Sequence, residues 1–120
     1  MGINVDKVLV SLLETNIPGV KVWALEKPKE AAVPALVYKR VSSRSYVYHG
    51  GQLDVVRDWI QITHVASTYA ELRTLVDNVE AQLIGNTTNF SVSLPSDTHV
   101  EFKEDTLYFA NRDYFIFYKK

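Results

Sequence analysis

Pro34 to Gly85 reads PALVYKRVSSRSYVYHGGQLDVVRDWIQITHVASTYAELRTLVDNVEAQLIG, and this stretch decides the fold. It holds two strand-like runs around a tight turn, followed at once by a capped amphipathic helix. Pro34 marks a strand start, because proline donates no ladder hydrogen bond and is confined to strand beginnings and edges. Ala35 to about Val41 is the first run. Ser42-Ser43-Arg44-Ser45 is polar and predicts a bend or bulge, after which Tyr46-Val47-Tyr48 resumes strand character. His49-Gly50-Gly51-Gln52 makes the turn, since paired glycines accept the positive φ of a tight hairpin. Leu53 to Val65 is the return strand. At about 3.3 Å per residue it spans roughly 43 Å. A compact chain of this length has a radius of gyration of only about 13–14 Å. The hairpin therefore bends or projects from the body.

The following helix has its own start and stop signals. Thr68 and Glu71 form a capping box, each side chain meeting the other's free backbone donor. Leu72, Leu75, Val76, Val79 and Leu83 make one apolar stripe, with Glu71, Arg73, Asp77 and Glu80 mostly off it. Gly85 is read as the left-handed residue that ends it.

Outward from this block, Asn4 to Glu14 predicts an amino-terminal helix. Asn4 is its cap, and Ile3, Val8, Leu9, Leu12 and Leu13 fall at helical spacing. Asn16-Ile17-Pro18-Gly19 turns the chain. Val20 to Leu25 reads as a short strand, and Glu26 to Glu30 as a solvated charged loop. Beyond a loop at Asn86 to Asn89, Phe90 to Leu94 alternates as a strand with one wet face. His99 to Lys103 and Leu107 to Ala110 are weaker strand candidates, and Tyr114 to Tyr118 is a strong one. Helices and strands are segregated rather than alternating, which predicts an α+β fold. The expected architecture is an antiparallel or mixed sheet of about four to five strands. Two helices pack on one face, and a long β-hairpin projects. Residues 1–120 are read as one domain.

Composition narrows the function classes. Thirteen basic and fourteen acidic residues nearly cancel, so nothing drives the whole chain toward nucleic acid or an anionic membrane. Without cysteine there are no disulfides, thiolate metal sites or thiol nucleophiles. The first residues lack the pattern of a signal peptide, and no apolar run is long enough to cross a membrane. His49, His64 and His99 sit at no metal-ligand spacing from one another. Asp54 and Asp58 share a strand face about 13 Å apart, too far for an acid/base pair. Gly50-Gly51 does not join a strand to a helix and is no phosphate cradle. These readings predict no enzyme, no cofactor and no metal.

The strands are apolar on both faces. Tyr114, Ile116 and Tyr118 point one way and Phe115 and Phe117 the other; Ile60 and Ile62 oppose Leu53, Val55 and Trp59. Two helices cover one face of such a sheet. The other is left with aromatics, and a large apolar patch commonly marks an interface. The alternative is a sheet that curls and covers itself. Lys39, Arg40, Arg44 and Arg57 line the hairpin, with only Asp54 and Asp58 to offset them locally. Such charge either guards an exposed edge or marks an arm that docks on an acidic, aromatic-accepting surface of a neighbouring subunit.

The pattern resembles the tail-terminator, or tail-completion, proteins of long-tailed bacteriophages. The resembling features are the entry Pro34-Ala35-Leu36-Val37-Tyr38, the strand Val56-Arg57-Asp58-Trp59-Ile60-Gln61-Ile62 and the transition Ala66-Ser67-Thr68-Tyr69-Ala70-Glu71. The stripe Leu72, Val76 and Leu83 and the lead Arg112-Asp113-Tyr114 complete them. The resemblance implies a structural virion protein, assembled in the bacterial host cytoplasm, that forms a hexameric ring. The ring caps the head-proximal end of the tail tube, ends tube polymerisation and joins the tail to the head connector. The implied partners are further copies of the chain, the tail tube protein and the head connector or stopper protein. No membrane is involved, and DNA contact is at most nonspecific. Arg44, Tyr46, Tyr48 and Trp59 are the expected subunit contacts. The alternatives are another neck or tail component, such as a head-tail joining or tube protein, or a small ligand-binding accessory domain.

Overall fold

The computed structural model describes residues 5–17, 19–25, 27, 33–47, 54–85, 90–93, 100–104 and 106–119. Its elements are α1 (Val5–Asn16), β1 (Lys21–Ala24), β2 (Ala35–Val47), β3 (Asp54–Ala66), α2 (Tyr69–Gly85), β4 (Ser91–Ser93), β5 (Val100–Glu104) and β6 (Leu107–Lys119). The fold is α+β, with both helices on one face of an open six-stranded mixed sheet. The strand order is β1-β2-β3-β6-β4, with β5 also on β6. Among the described strands only β1 and β2 pair in parallel. β4 and β5 divide the outer edge of β6: β4 pairs with Phe115–Phe117 and β5 with Leu107–Asn111.

Two differences from the expected architecture have clear causes. The sheet has six strands because β4 and β5 occupy one edge in succession. The closing strand is also continuous from Leu107 to Lys119, where the sequence reads two strands broken by Asn111-Arg112-Asp113. Each of these polar residues finds a partner and stays in the ladder. Asn111 accepts a hydrogen bond from the Thr63 hydroxyl (2.7 Å), Asp113 accepts one from the Gln61 amide (3.2 Å), and Arg112 pairs with Glu80 of α2 (2.9 Å).

The hairpin strands each have thirteen residues. The long axis of the molecule is 54 Å against 28 and 24 Å across, and the radius of gyration, 15.1 Å, exceeds that of a compact chain. The projection is not a bare hairpin, however. β6 pairs with β3 from Ala66↔Tyr108 to Val55↔Lys119, so the arm is a ribbon of β2, β3 and β6, with β4 beside β6 at Phe115–Phe117. The turn at His49 to Gln52 and the cap at Asn4 lie outside the described residues.

Alternation sorts the side chains. On the helix face Val56 is buried, and Ile60, Ile62, Tyr114 and Ile116 are buried in one cluster with Leu9 and Leu13 of α1 and Leu75, Val79 and Leu83 of α2. His64 is also buried there. Its Nδ1 lies 2.8 Å from the Ala110 carbonyl, which can only accept, so Nδ1 carries the proton. This is a structural histidine. At the start of α2, the Thr68 hydroxyl accepts from the Glu71 N–H (3.1 Å). The reciprocal bond of the capping box shifts by one residue, Glu71 taking the Ser67 N–H (3.3 Å) in place of that of Thr68. Gly85 is the last residue of the helix itself.

The phenol of Tyr114 is buried with no hydrogen-bond partner. Burial, outweighing the opposing influence of Arg112, pushes its ionisation well above the ordinary 10.0. Replacement of Tyr114 by phenylalanine removes an unsatisfied polar group and keeps the ring. It is expected to stabilise the fold by up to about 1 kcal/mol at neutral pH. The folded state holds this proton more tightly than the unfolded state. Stability from this group is therefore complete below about pH 10 and drains away as the pH rises further. Tyr114→Phe should flatten that alkaline loss, as measured by urea unfolding at pH 7 and 10.5. A variant less stable than the parent at both pH values contradicts this account.

Candidate assembly surface

A single irregularity decides what the arm presents. The pairing of β2 with β3 shifts register between Arg40 and Ser42, leaving Val41 as an exposed extra residue. Because side chains alternate with period two, one inserted residue exchanges the faces of everything beyond it. Arg40, before the bulge, lies on the helix face opposite Ile60. After it, Ser43 falls on the same face opposite Asp58, while Ser42, Arg44 and Tyr46 fall on the outer face opposite Trp59, Arg57 and Val55.

On the helix face this arrangement builds a polar knot. Asp58 is fully buried, and its carboxylate accepts from Arg40 Nε (3.2 Å), the Ser43 hydroxyl (2.5 Å) and the Tyr118 hydroxyl (3.2 Å). Arg40 also reaches Asp6 of α1 at 2.8 Å, tying the helix to the root of the arm. Burial works against the Arg40 charge, but Asp58 and Asp6 outweigh it and hold the guanidinium above its ordinary range. Burial, and then the Asp58 charge, pushes the Tyr118 phenol up, so it stays protonated and donates. Asp58 thus neutralises Arg40 and does not offset Arg44 or Arg57, which lie across the sheet.

Neither α1 nor α2 lies over the outer face. Trp59 meets Phe115 edge-on at 5.8 Å, and the Arg57 guanidinium lies over the Phe115 ring at 4.8 Å. At the other end Phe102 and Phe109 stack at 5.0 Å, and Lys21 sits 5.5 Å from the Trp23 ring. Between these ends runs a polar band made by the Thr63–Asn111 and Gln61–Asp113 pairs. Most of the aromatics are half-buried, shielding one another, while Phe102 is exposed. The indole N–H groups of Trp23 and Trp59 and the Nε–H of Arg57 are buried without acceptors.

Of the expected contact residues, Arg44 is exposed on the outer face and Trp59 is half-buried on it. Tyr46 occupies an outer-face register position, but its side chain lies outside the described residues, as does all of Tyr48. The sequence reading missed Phe115 as the partner of both Trp59 and Arg57. Their cross-strand contact depends on the register of β6 against β3. It also missed the knot around Asp58, which needs the bulge.

Among the concavities lined by described residues, two lie near these elements. One, of about 500 Å³, runs along α1 past Asp6, Lys7, Glu14 and Tyr38. The other, of about 220 Å³, is lined by Tyr69, Leu72, Glu101, Phe102, Lys103 and Tyr108. In it Glu101 accepts from the Tyr69 hydroxyl and from Arg73, both at 3.0 Å. Among the described residues no cluster of three or more histidine or acidic side chains is placed to hold a metal ion, and no helix is long and apolar enough to cross a membrane. In comparison with known proteins, no family model matches the chain, and no curated protein matches it significantly.

Proposed function

We propose that this chain is a structural virion protein that assembles with copies of itself into a closed ring. The ring would cap the head-proximal end of a phage tail tube, end tube growth and offer its free side to the head connector. The observation that carries the reading is the outer sheet face, where Trp23, Trp59, Phe102, Phe109, Phe115 and Phe117 lie on the side away from α1 and α2. Apolar surface of this kind is removed from water by association. The 54 Å axis adds a projecting arm with a basic outer surface. A head-to-tail ring needs two different patches per subunit, and an arm and a body provide them. The resemblance to tail terminators chooses the kind of ring.

Negative-stain electron microscopy of the purified chain tests the proposal. Discrete rings, and capped tails when tube protein is added, are the expected result. Open stacks would identify a tube component instead, and a monomer at every concentration would end the ring reading. Arg44→Ala combined with Tyr48→Ala is expected to weaken ring formation by about tenfold or more, as central arginine and tyrosine contacts commonly do. Unchanged assembly of this double variant removes the arm from the account.

A further inference from the structure

Leu25, just past β1 at one edge of the sheet, has a left-handed backbone, with φ at 66°. A side chain with a Cβ rarely accepts this conformation, because the Cβ crowds the following carbonyl oxygen. The backbone is held there by the Leu25 N–H, which donates to the Tyr38 carbonyl (2.8 Å). The fold gains little apolar burial in return, since Leu25 is 76% exposed. Glycine would meet the backbone requirement without the strain. A strained leucine that its own chain leaves in water is placed to be buried by something else. Strand addition is not what this edge offers. The Val22 N–H is taken by the Glu14 carboxylate (3.0 Å) and the Leu25 N–H by Tyr38. What the edge presents is a side chain.

A matching hollow lies at the other edge. The concavity of about 220 Å³ between the start of α2 and β5 is walled by Tyr69, Leu72, Phe102 and Tyr108. Tyr69 and Phe102 are 50% and 41% exposed. The polar groups around it already serve one another. Glu101 accepts from Tyr69 and Arg73, and the Lys103 ammonium lies over the Tyr108 ring at 5.2 Å. The wall that remains is carbon, which suits an aliphatic side chain better than a polar ligand.

We infer that Leu25 of one copy seats in this hollow of the next. Its volume admits one branched aliphatic side chain. The flanking charges agree with the pairing. Lys39, beside the Tyr38 that holds Leu25, and Glu104, at the end of β5, are both exposed, and neither has a partner among the described residues. Lys103 lies on the opposite face of β5 from Glu104. The contact cannot form within one chain, because β2, β3 and β6 stand between β1 and β5. A knob at one edge and a hollow at the other make a heterologous contact, the kind that propagates around a ring. The inference rests on the ring reading and names two surfaces that would join its subunits.

Leu25→Gly tests it without harming the fold, since glycine accepts the left-handed backbone. By circular dichroism the variant is expected to melt at or above the parent temperature. In sedimentation velocity it is expected to assemble at least about tenfold more weakly, for the loss of one buried leucine side chain. Tyr69→Ala, which takes down one wall of the hollow, should weaken assembly likewise. The chain has no cysteine, so Lys39→Cys combined with Glu104→Cys gives a second readout. A short bismaleimide is expected to link this double variant into a ladder of oligomers, and each single variant into dimers at most. Leu25→Gly that assembles like the parent overturns the inference, as does a double variant that gives no ladder. Self-assembly left intact with only tail capping lost would assign Leu25 to a different partner and overturns it too. If the parent assembles and these results fail, the ring stands on other contacts. If the parent never assembles, both readings fall.

Discussion

Replacement of Ile60 by alanine is expected to cost about 4 kcal/mol, the largest effect of any single substitution considered. Ile60 is fully buried at the centre of β3, in register with Arg40 on one side and Tyr114 on the other. It belongs to the cluster that unites both helices and the sheet, including Leu9, Leu13, Leu75, Val79 and Leu83. Truncation loses the transfer energy of three carbon atoms and leaves a cavity that neighbours on a paired central strand cannot collapse into. Domains of this size are stable by only about 5–15 kcal/mol, so one such cavity removes a large share. The melting temperature should fall by roughly 15 °C. Urea unfolding gives the number directly, and a loss below about 1 kcal/mol would show that the site relaxes in a way the packing does not predict.

The second large effect belongs to Asp58. Substitution by alanine should cost about 2–3 kcal/mol, less than a fully buried ion pair because Arg40 keeps Asp6 and is partly exposed to water. Tyr118 and Ser43 lose their acceptor as well. Asp58→Asn keeps the shape and removes the charge, and one of its amide donors would confront Arg40 or Tyr118. It should recover only a minor part of the loss. The damage should be local. Hydrogen exchange is expected to quicken around the bulge at Arg40 to Ser43 and the facing stretch of β3, ahead of α2 and the core. Uniform acceleration across the chain, or an asparagine variant as stable as the parent, would count against Asp58 as the residue that fixes the arm.

Much of the architecture was legible in local pattern. The stripe from Leu72 to Leu83 and the pairing of Thr68 with Glu71 fix α2 from sequence, because helix periodicity and capping are short-range effects. Strand alternation likewise assigns Ile60 and Ile62 to one face and Trp59 to the other. The polar run at Ser42 to Ser45 gave warning of a bulge, although the shift falls one residue earlier, at Val41. The candidate surface was legible only in part. That Arg44, Tyr46 and Trp59 share a face follows from the bulge and the register, and neither is encoded in neighbouring residues alone.

The sequence by itself determined the α+β class, the two helices, the long hairpin strands and the two-faced apolar character of Tyr114 to Tyr118. All of these arise from interactions between residues close along the chain. Only the tertiary structure decided that β6 runs unbroken beside β3 and that β4 and β5 share its outer edge. It likewise decided that Asp58 answers Arg40 rather than Arg44 or Arg57. Those outcomes depend on which distant strand supplies the partner for each polar side chain. Asn111, Arg112 and Asp113 look like a strand break until Thr63, Glu80 and Gln61 are brought alongside them.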